Sequence, residues 1–533
     1  MDNSLLAAVW AGFGSIGCLL SARTLIHWFQ LESYQFPGYF RTLRRQGIRG
    51  WIPGVLMCVS FLAASFLLRL MRGKLPEWAG CILTGLLLVA AGAAISEALK
   101  KQKAKKPLNF TPRIRRLYAV CFVLWTLLLL TVFRTGAPLF PFCAFLPLAL
   151  PLWTALGGLL AWPIEKGISE AYFRDAQRIL RGREDLIKIG ITGSWGKTSV
   201  KFILGELLSV RFPTLVTPAS FNTPMGVTKV IRTMLEPGHR VFVAEMGARH
   251  VGDIREMCRL VHPTMGLLTS VGPQHLDTFH TQERITKTKY ELMDAIPEGG
   301  TCFFSDDDGI VYGLWEKTEK EKYLAGLRPE RDDVWAENIQ VSSSGSRFLL
   351  CTKDEKTECE TELLGELNIR NIMLSAAVCY RLGMSGKEIA AGIRRLKPVA
   401  HRLELKRNPS GITVLDDAFN SNIQGAEQAF QTLRQFSGKR IVVTPGMVEL
   451  GDREEEMNYQ FGLKMADCCD AAILVGRQRS VKIREGLQAK GFPEEKIHIV
   501  GSLNEAAELL KTMAGAGDCI LFENDLPDNY SEV

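Results

Sequence analysis

Residues 186–199 read LIKIGITGSWGKTS, and the way this stretch folds decides the rest of the reading. Its first seven residues are apolar and rich in β-branched side chains, which predicts a short buried strand. A turn holding Gly193 and Gly196 follows, then Lys197-Thr198-Ser199, then an apolar helical pattern over 200–208. Strand, glycine turn, Lys-Thr and helix predict a phosphate-binding loop. Backbone N–H groups and the helix N-terminus cradle the anion, Lys197 neutralises it, and the Thr198 hydroxyl can ligate Mg2+. The spacing departs from G-x-x-x-x-G-K-[ST], because Ile191 stands where the first glycine belongs. The candidate nucleotide contacts here are Gly193, Ser194, Gly196, Lys197, Thr198 and Ser199.

Toward the N-terminus the composition changes sign. Residues 1–163 carry 17 Lys and Arg against 4 Asp and Glu, whereas the other 370 residues carry 47 against 53. The basic excess of this 533-residue chain thus belongs to its first third. That third is broken by apolar runs at 5–28, 51–70, 79–99, 117–133 and 137–162, each near the ~20 residues a membrane-spanning helix needs. This excludes a wholly soluble protein and a basic nucleic-acid arm. The first run lacks the basic flank of a cleaved signal. The last holds Pro138, Pro141, Pro147 and Pro151, which predict a kink or a re-entrant segment. Arg41, Arg44, Arg45 and Arg49 fill one loop; Lys100, Lys101, Lys103, Lys105, Lys106, Arg113, Arg115 and Arg116 fill another. The alternate loops hold only Arg72 and Lys74, then Arg134. Basic loops stay cytoplasmic, so five spans predict an outer N-terminus and cytoplasmic catalytic domains. The spans either anchor the protein or, through the basic loops, hold an anionic lipid or lipid-linked substrate. Arg23, His27 and Glu97 lie near span ends, where snorkelling accounts for them. Residues 164–186 read as a polar amphipathic connector helix. The thirteen cysteines include no C-x-x-C pair, so buried free thiols in a reducing compartment are expected rather than a scaffold or zinc site.

Toward the C-terminus, Glu245 ends an apolar strand at 241–245 and His275 follows another at 265–271. Ligands bind at the carboxyl ends of parallel strands, so Glu245, His275 and Thr198 could converge on magnesium beside the phosphates. Taken singly, Glu245 reads equally as a helix cap and His275 as a core histidine. From residue 398 onward, short apolar runs at 413–415, 441–444, 471–475, 497–500 and 519–522 alternate with helical segments, a doubly wound α/β pattern.

Several of these segments resemble the Mur ligases, the ATP-dependent amide-forming enzymes of cell-wall peptide synthesis. GITGSWGKTSVK (190–201) resembles their phosphate loop, and VAEMGARHVGDI (243–254) the segment whose glutamate helps hold magnesium. SVGPQHLDTF (270–279) is similar to the stretch with a metal-binding histidine, and KTKYEL (287–292) falls where the family has its modified lysine. LLGELNIRNIMLSAA (363–377) resembles the adenine-side asparagine motif; HRLE (401–404), VLDDAFNSN (414–422) and PGMVELG (445–451) resemble C-terminal domain motifs. The most similar branch adds D-alanyl-D-alanine to a UDP-linked muramoyl tripeptide. Beside the membrane domain over 1–163 and the connector over 164–186 read from composition, the resemblance implies a central ATP-binding domain over 187–397 and a C-terminal domain over 398–533. It also implies ATP and magnesium, two ions in the family. Thr198, Glu245, His275 and a carbamylated Lys289 would be the metal ligands; Lys197, His275 and Lys289 would be the catalytic set. Asn368 and Asn371 would sit by the adenine, with Arg402 and Asp417 reaching the nucleotide from the C-terminal domain. From sequence alone Lys289 is a surface lysine, and the neighbouring Lys287 competes for the role.

The departures bear on substrate. Membrane spans replace the usual UDP-sugar domain, Leu367 replaces a histidine, and NSNIQG (420–425) lacks a proline. Asn222-Thr223 stands for paired asparagines, Asn458 for a histidine, and ENDLPDNY (523–530) for a Lys-Gly-Ser motif. Three readings follow. The leading one is an integral-membrane ligase of a bacterial cell membrane, joining an amino acid or short peptide to a cell-wall or lipid-linked precursor, with no nucleic-acid partner. The second is a poly-γ-glutamate-type ligase, and the third an ATP-driven transporter or regulatory module.

Overall fold

The computed structural model describes all residues except 1–2, 101–106, 135–143, 307–308, 343, 419–422, 449 and 526–533. The chain divides into two compact units, essentially residues 1–170 and 171–526. Lys101, Lys103, Lys105, Lys106, Pro138, Pro141 and Cys143 lie outside the described residues.

The first unit is helical, because its long apolar runs satisfy their backbone groups locally. Helices Ile52–Met71, Glu77–Ala98 and Pro112–Arg134 coincide with three of the expected runs. The run at 5–28 is instead two helices, Asn3–Ser21 and Arg23–Leu31, bent by 50°. By length and composition four helices could cross a membrane, or five if that bent pair is one span. The last run and the expected connector form one helix, Leu150–Arg181, which passes unbroken through Pro163. A boundary at Pro163 therefore falls inside a single element. Pro147 sits in a short 3-10 turn and Pro151 in the first helical turn, where its missing N–H has no intrahelical role. Trp10, Phe29, Tyr39 and Phe61 fill the interior, while Val59, Phe66, Leu86, Leu127 and Leu160 remain exposed on the helix surfaces.

The second unit begins its sheet with β1 (Ile187–Thr192), the strand expected from the opening stretch. With β2 (Thr214–Val216), β3 (Val241–Glu245), β4 (Met265–Leu268), β5 (Thr301–Ser305), β6 (Glu321–Gly326), β7 (Val334–Ser342), β8 (Gly345–Thr352) and β9 (Lys356–Thr361) it forms one sheet in the order β2-β3-β1-β4-β5-β6-β7-β8-β9. Pairings are parallel as far as β7, and β7–β8–β9 is an antiparallel meander. Alternate side chains face opposite ways. Ile189, Val241, Val243 and Phe303 pack under helices Lys197–Leu208 and Glu366–Arg381, whereas Phe242, Ala244, Phe304 and Leu324 pack under Pro224–Met234, Asp253–Val261 and Gln282–Ala295. Near-continuous apolar strands such as Val-Phe-Val-Ala follow from this two-sided burial.

A second sheet is built from β10 (Glu404–Arg407), β11 (Thr413–Asp417), β12 (Arg440–Thr444), β13 (Ala471–Val475), β14 (Ile497–Val500) and β15 (Cys519–Glu523). Its order is β10-β11-β15-β12-β13-β14, parallel except for β10. Val442 and Leu474 pack on one face; Ile441, Val443 and Ile473 meet helix Leu503–Met513 on the other. The twelve described cysteines are all buried and free.

Candidate active site

The phosphate loop joins β1 to helix Lys197–Leu208 and is held in shape by its neighbours. Gly196 occupies the helix N-cap with φ +80°, a left-handed conformation that costs glycine little. At Gly193 a Cβ would lie 2.1 Å from Thr269 Oγ1, so no larger residue fits. Gly272 N donates to Ser194 Oγ at 3.0 Å, and Trp195 N donates to Ser270 Oγ at 2.9 Å. These bonds pin the segment after β4, which carries His275, against the loop.

Lys197 folds back onto the loop, donating to the carbonyls of Gly193 at 2.7 Å and Ser194 at 2.8 Å. Burial lowers its ammonium to about 8, against the pull of Glu245. Thr198 Oγ1 donates to Glu245 Oε1 at 3.2 Å. Burial alone would raise the Glu245 carboxyl, but Lys201, Lys197 and the Asn222 amide outweigh it and hold the group below the ordinary carboxylate range. The hydroxyl and the carboxylate are hard oxygen donors of the kind a magnesium ion takes, so these residues fit that ion.

His275 is half-buried, with φ +54°, and heads the short helix Leu276–Phe279. Lys289 lies on helix Gln282–Ala295 and is 3% exposed, while Lys287 is exposed. The sequence-only view of Lys289 as a surface lysine is thus corrected: two residues along a helix is about 200°, so the two lysines face apart. Burial, and then Lys197, lower the Lys289 ammonium well below its ordinary range; Asp253 and Glu245 oppose this only in part.

A cleft opens beside the loop, lined by Trp195, Gly196, Ser199, Asn368, Asn371, Arg402, Asp417 and Glu523 among others. It brings both asparagines together with the two residues expected from the C-terminal domain. Asn368 Nδ2 donates to Leu364 O at 2.8 Å, and Asn371 is buried under Gly196. Leu403 N donates to Asp417 Oδ1 at 3.0 Å. Burial pushes Asp417 up to about 6 despite Arg402, and its carboxyl shares a hydrogen bond with Glu523, its register partner across β11–β15.

Three participants escaped the sequence reading as site residues. Lys201 pairs with Glu245 Oε2 at 3.0 Å, and Asn222 Nδ2 donates to Glu245 Oε1 at 3.0 Å. Lys201 was detectable as a cation four residues after Lys197, hence on the same helix face. Asn222 and Glu523 carried no local signal beyond their departure from a motif.

With this geometry in place, the chain compares closely with known proteins. Residues 191–379 match the Mur ligase middle domain, and residues 401–523 match the Mur ligase glutamate ligase domain. The UDP-N-acetylmuramoyl-tripeptide–D-alanyl-D-alanine ligase of Mycobacterium leprae is 31% identical over 63% of this chain and 70% of its own length. The chain belongs to the Mur ligase family. Members of the Mur ligase family are ATP-dependent, ADP-forming amide ligases. The ligase of the same name from Bacillus subtilis is 27% identical over 63% of this chain and 72% of its own length. Some other curated Mur ligase relatives are spanned over only 59% of theirs. A crystal structure of MurF from Acinetobacter baumannii superposes with a TM-score of 0.62 at 25% identity, covering 68% of this chain and 78% of that one. The matched domains are the two α/β sheets described above, and both Mur ligase domains line the cleft.

Proposed function

We infer that this chain is a membrane-anchored Mur ligase that joins D-alanyl-D-alanine, or a similar short peptide, to a UDP-linked muramoyl-tripeptide or a related cell-wall precursor. The observation that carries the reading is the cleft in which the phosphate loop, the asparagine pair and Arg402–Asp417 meet. The relatives' printed reaction supports the choice of substrates. The basic loops and exposed apolar helices of residues 1–163 support the anchor, with catalytic domains in the cytoplasm.

Forming an amide from a carboxylate needs a better leaving group than oxide. Transfer of the γ-phosphoryl group to the carboxylate gives an acyl phosphate; the amine then attacks the carbonyl carbon and phosphate departs. The protein contributes position and charge. Lys197, released from the Gly193 and Ser194 carbonyls, meets the phosphates, and Arg402 faces them from across the cleft. Thr198, Glu245 and His275 would hold magnesium, which supplies charge neutralisation at the transferring phosphoryl group. Lys289 is buried, and the described residues offer its Nζ no hydrogen bond. A neutral amine in that place can add CO2 and lose a proton, giving a carbamate anion that Lys197 stabilises and that can serve as a further oxygen ligand.

Detergent-purified full-length protein incubated with ATP, the UDP-linked tripeptide and D-Ala-D-Ala, and read by mass spectrometry, tests this. One amide per precursor with one ADP released is expected, and none from a folded Lys197→Ala variant. Multiple additions would favour a poly-amino-acid ligase. ATP turnover that does not depend on the amine would sink the ligase reading.

A further inference from the structure

Lys201 is the buried charge at this site to which neither the motifs nor the mechanism above give a task. It is fully buried at 0% exposure, and a buried lysine is stable only when paired. Its Nζ is 3.0 Å from Glu245 Oε2 and also donates to the backbone carbonyl of Ala219. Glu245 Oε1 accepts from Asn222 Nδ2 at 3.0 Å and from Thr198 Oγ1 at 3.2 Å. The Glu245 N–H donates to Thr217 Oγ1 at 3.2 Å, and Gly247 N donates to Asn222 O at 2.8 Å. The segment from Thr217 to Asn222 is therefore laced to the end of β3 by backbone and side chain. Ala219, in its middle, has φ +44°, which a non-glycine residue keeps only when its surroundings hold it there. The Lys201 ammonium on the Ala219 carbonyl is such a restraint.

The two lysines of the helix face divide the work. Lys197 sits on the loop that phosphates displace it from, whereas Lys201 sits one turn deeper, on the side of Glu245 away from Thr198. A bare carboxylate turns about its terminal bond, and a carboxylate held at one oxygen presents the other in a fixed direction. Such supporting contacts typically govern metal affinity by 10–100-fold. A cation so near the site also opposes a second cation, and the geometry would have to outweigh that repulsion.

We propose that Lys201 is a positioning residue that fixes the Glu245 carboxylate and the 217–222 segment, so that Glu245 Oε1 and the Thr198 hydroxyl are oriented for magnesium before nucleotide binds. The proposal rests on the ATP and magnesium reading given above. Binding of a fluorescent ADP analogue to the detergent-solubilised full chain, titrated with Mg2+ and repeated in EDTA, tests it. In Lys201→Met the Mg2+ needed for half-maximal binding rises about tenfold or more, while binding in EDTA stays within about twofold of wild type. Lys201→Arg keeps the charge but not the reach, and its requirement rises by less.

An unchanged or lowered Mg2+ requirement in Lys201→Met overturns the proposal, since the ammonium would then only repel the ion. Equal losses in Mg2+ and in EDTA also overturn it, because they mark a merely structural lysine. If Lys201→Met does not fold, Lys201→Arg decides the matter, and a wild-type requirement in that variant refutes the idea. Wild-type protein that binds the analogue equally with and without Mg2+ would instead refute the magnesium reading itself, whatever Lys201 does.

Discussion

Lys289 and Lys287 are two residues apart and differ in everything that matters to chemistry. The first is buried near Lys197, Asp253 and Glu245; the second is exposed. Lys289→Ala should lose most amide formation, and added formate or acetate should restore part of it by filling the vacated anion position. Lys287→Ala should fall within about ±0.5 kcal/mol of wild type in stability, with near-normal ligation, as surface substitutions usually do. A dead Lys287→Ala beside an active Lys289→Ala would reverse the assignment. Asp332 offers a second residue-scale test, of stability rather than activity. It is buried, its Oδ1 has no hydrogen-bond partner among the described residues, and burial, with Asp306 adding, pushes its carboxyl up to about 7. The folded protein thus keeps a proton that the unfolded chain releases near pH 4. The stability this group lends is full below about pH 4 and is lost as pH rises through 7. Asp332→Asn should flatten the melting temperature between about pH 4 and 7, and should melt above wild type at the upper end. A variant that keeps the wild-type pH slope would show that another group titrates.

Helices Asn3–Ser21 and Glu77–Ala98 approach at small residues. A Cβ on Gly92 would lie 2.2 Å from the Gly17 carbonyl oxygen, and one on Gly17 would lie 2.5 Å from the Leu88 carbonyl oxygen. Close backbone approach of this kind is how apolar helices associate when water supplies no driving force. Gly92→Val should cost about 1–3 kcal/mol through overpacking, read as a lower melting temperature in detergent. Gly12→Ala, on the same N-terminal helix with nothing within 4 Å of its Cβ, is the control and should be neutral or slightly stabilising. Equal melting of the two variants would remove the helix contact from the account.

For the whole molecule, the expected outcome is a cytoplasmic C-terminus. Reporter domains fused after residue 533 should be active only on the cytoplasmic side, since the described basic residues cluster in alternate connections. Arg41, Arg44 and Arg45 lie on helix Phe36–Gln46, whose apolar Tyr39 and Leu43 are buried. Reporter activity confined to the outer face would refute the orientation and move the ligase domains with it.

What the sequence determined by itself was local. The strand at Ile187–Thr192, the helix beginning at Lys197 and the two-sided strands β3 and β4 follow from propensity, glycine placement and burial period, and all lie within a few residues of where the pattern put them. The antiparallel strands β7, β8 and β9 were not legible, because mixed polar sequences such as Val334–Ser342 pair only when a neighbouring edge is there to receive them. The single helix through Pro163 was equally hidden, since a proline ends a helix by local rule and only the surrounding packing overrides it. At the site, the sequence located Lys197, Thr198 and Glu245 by motif. Long-range packing alone buries Lys289 rather than Lys287, sets Lys201 and Asn222 on the Glu245 carboxylate, and lays Glu523 against Asp417. These facts depend on which elements pack together over separations of more than twenty residues, where no periodicity along the chain carries the information.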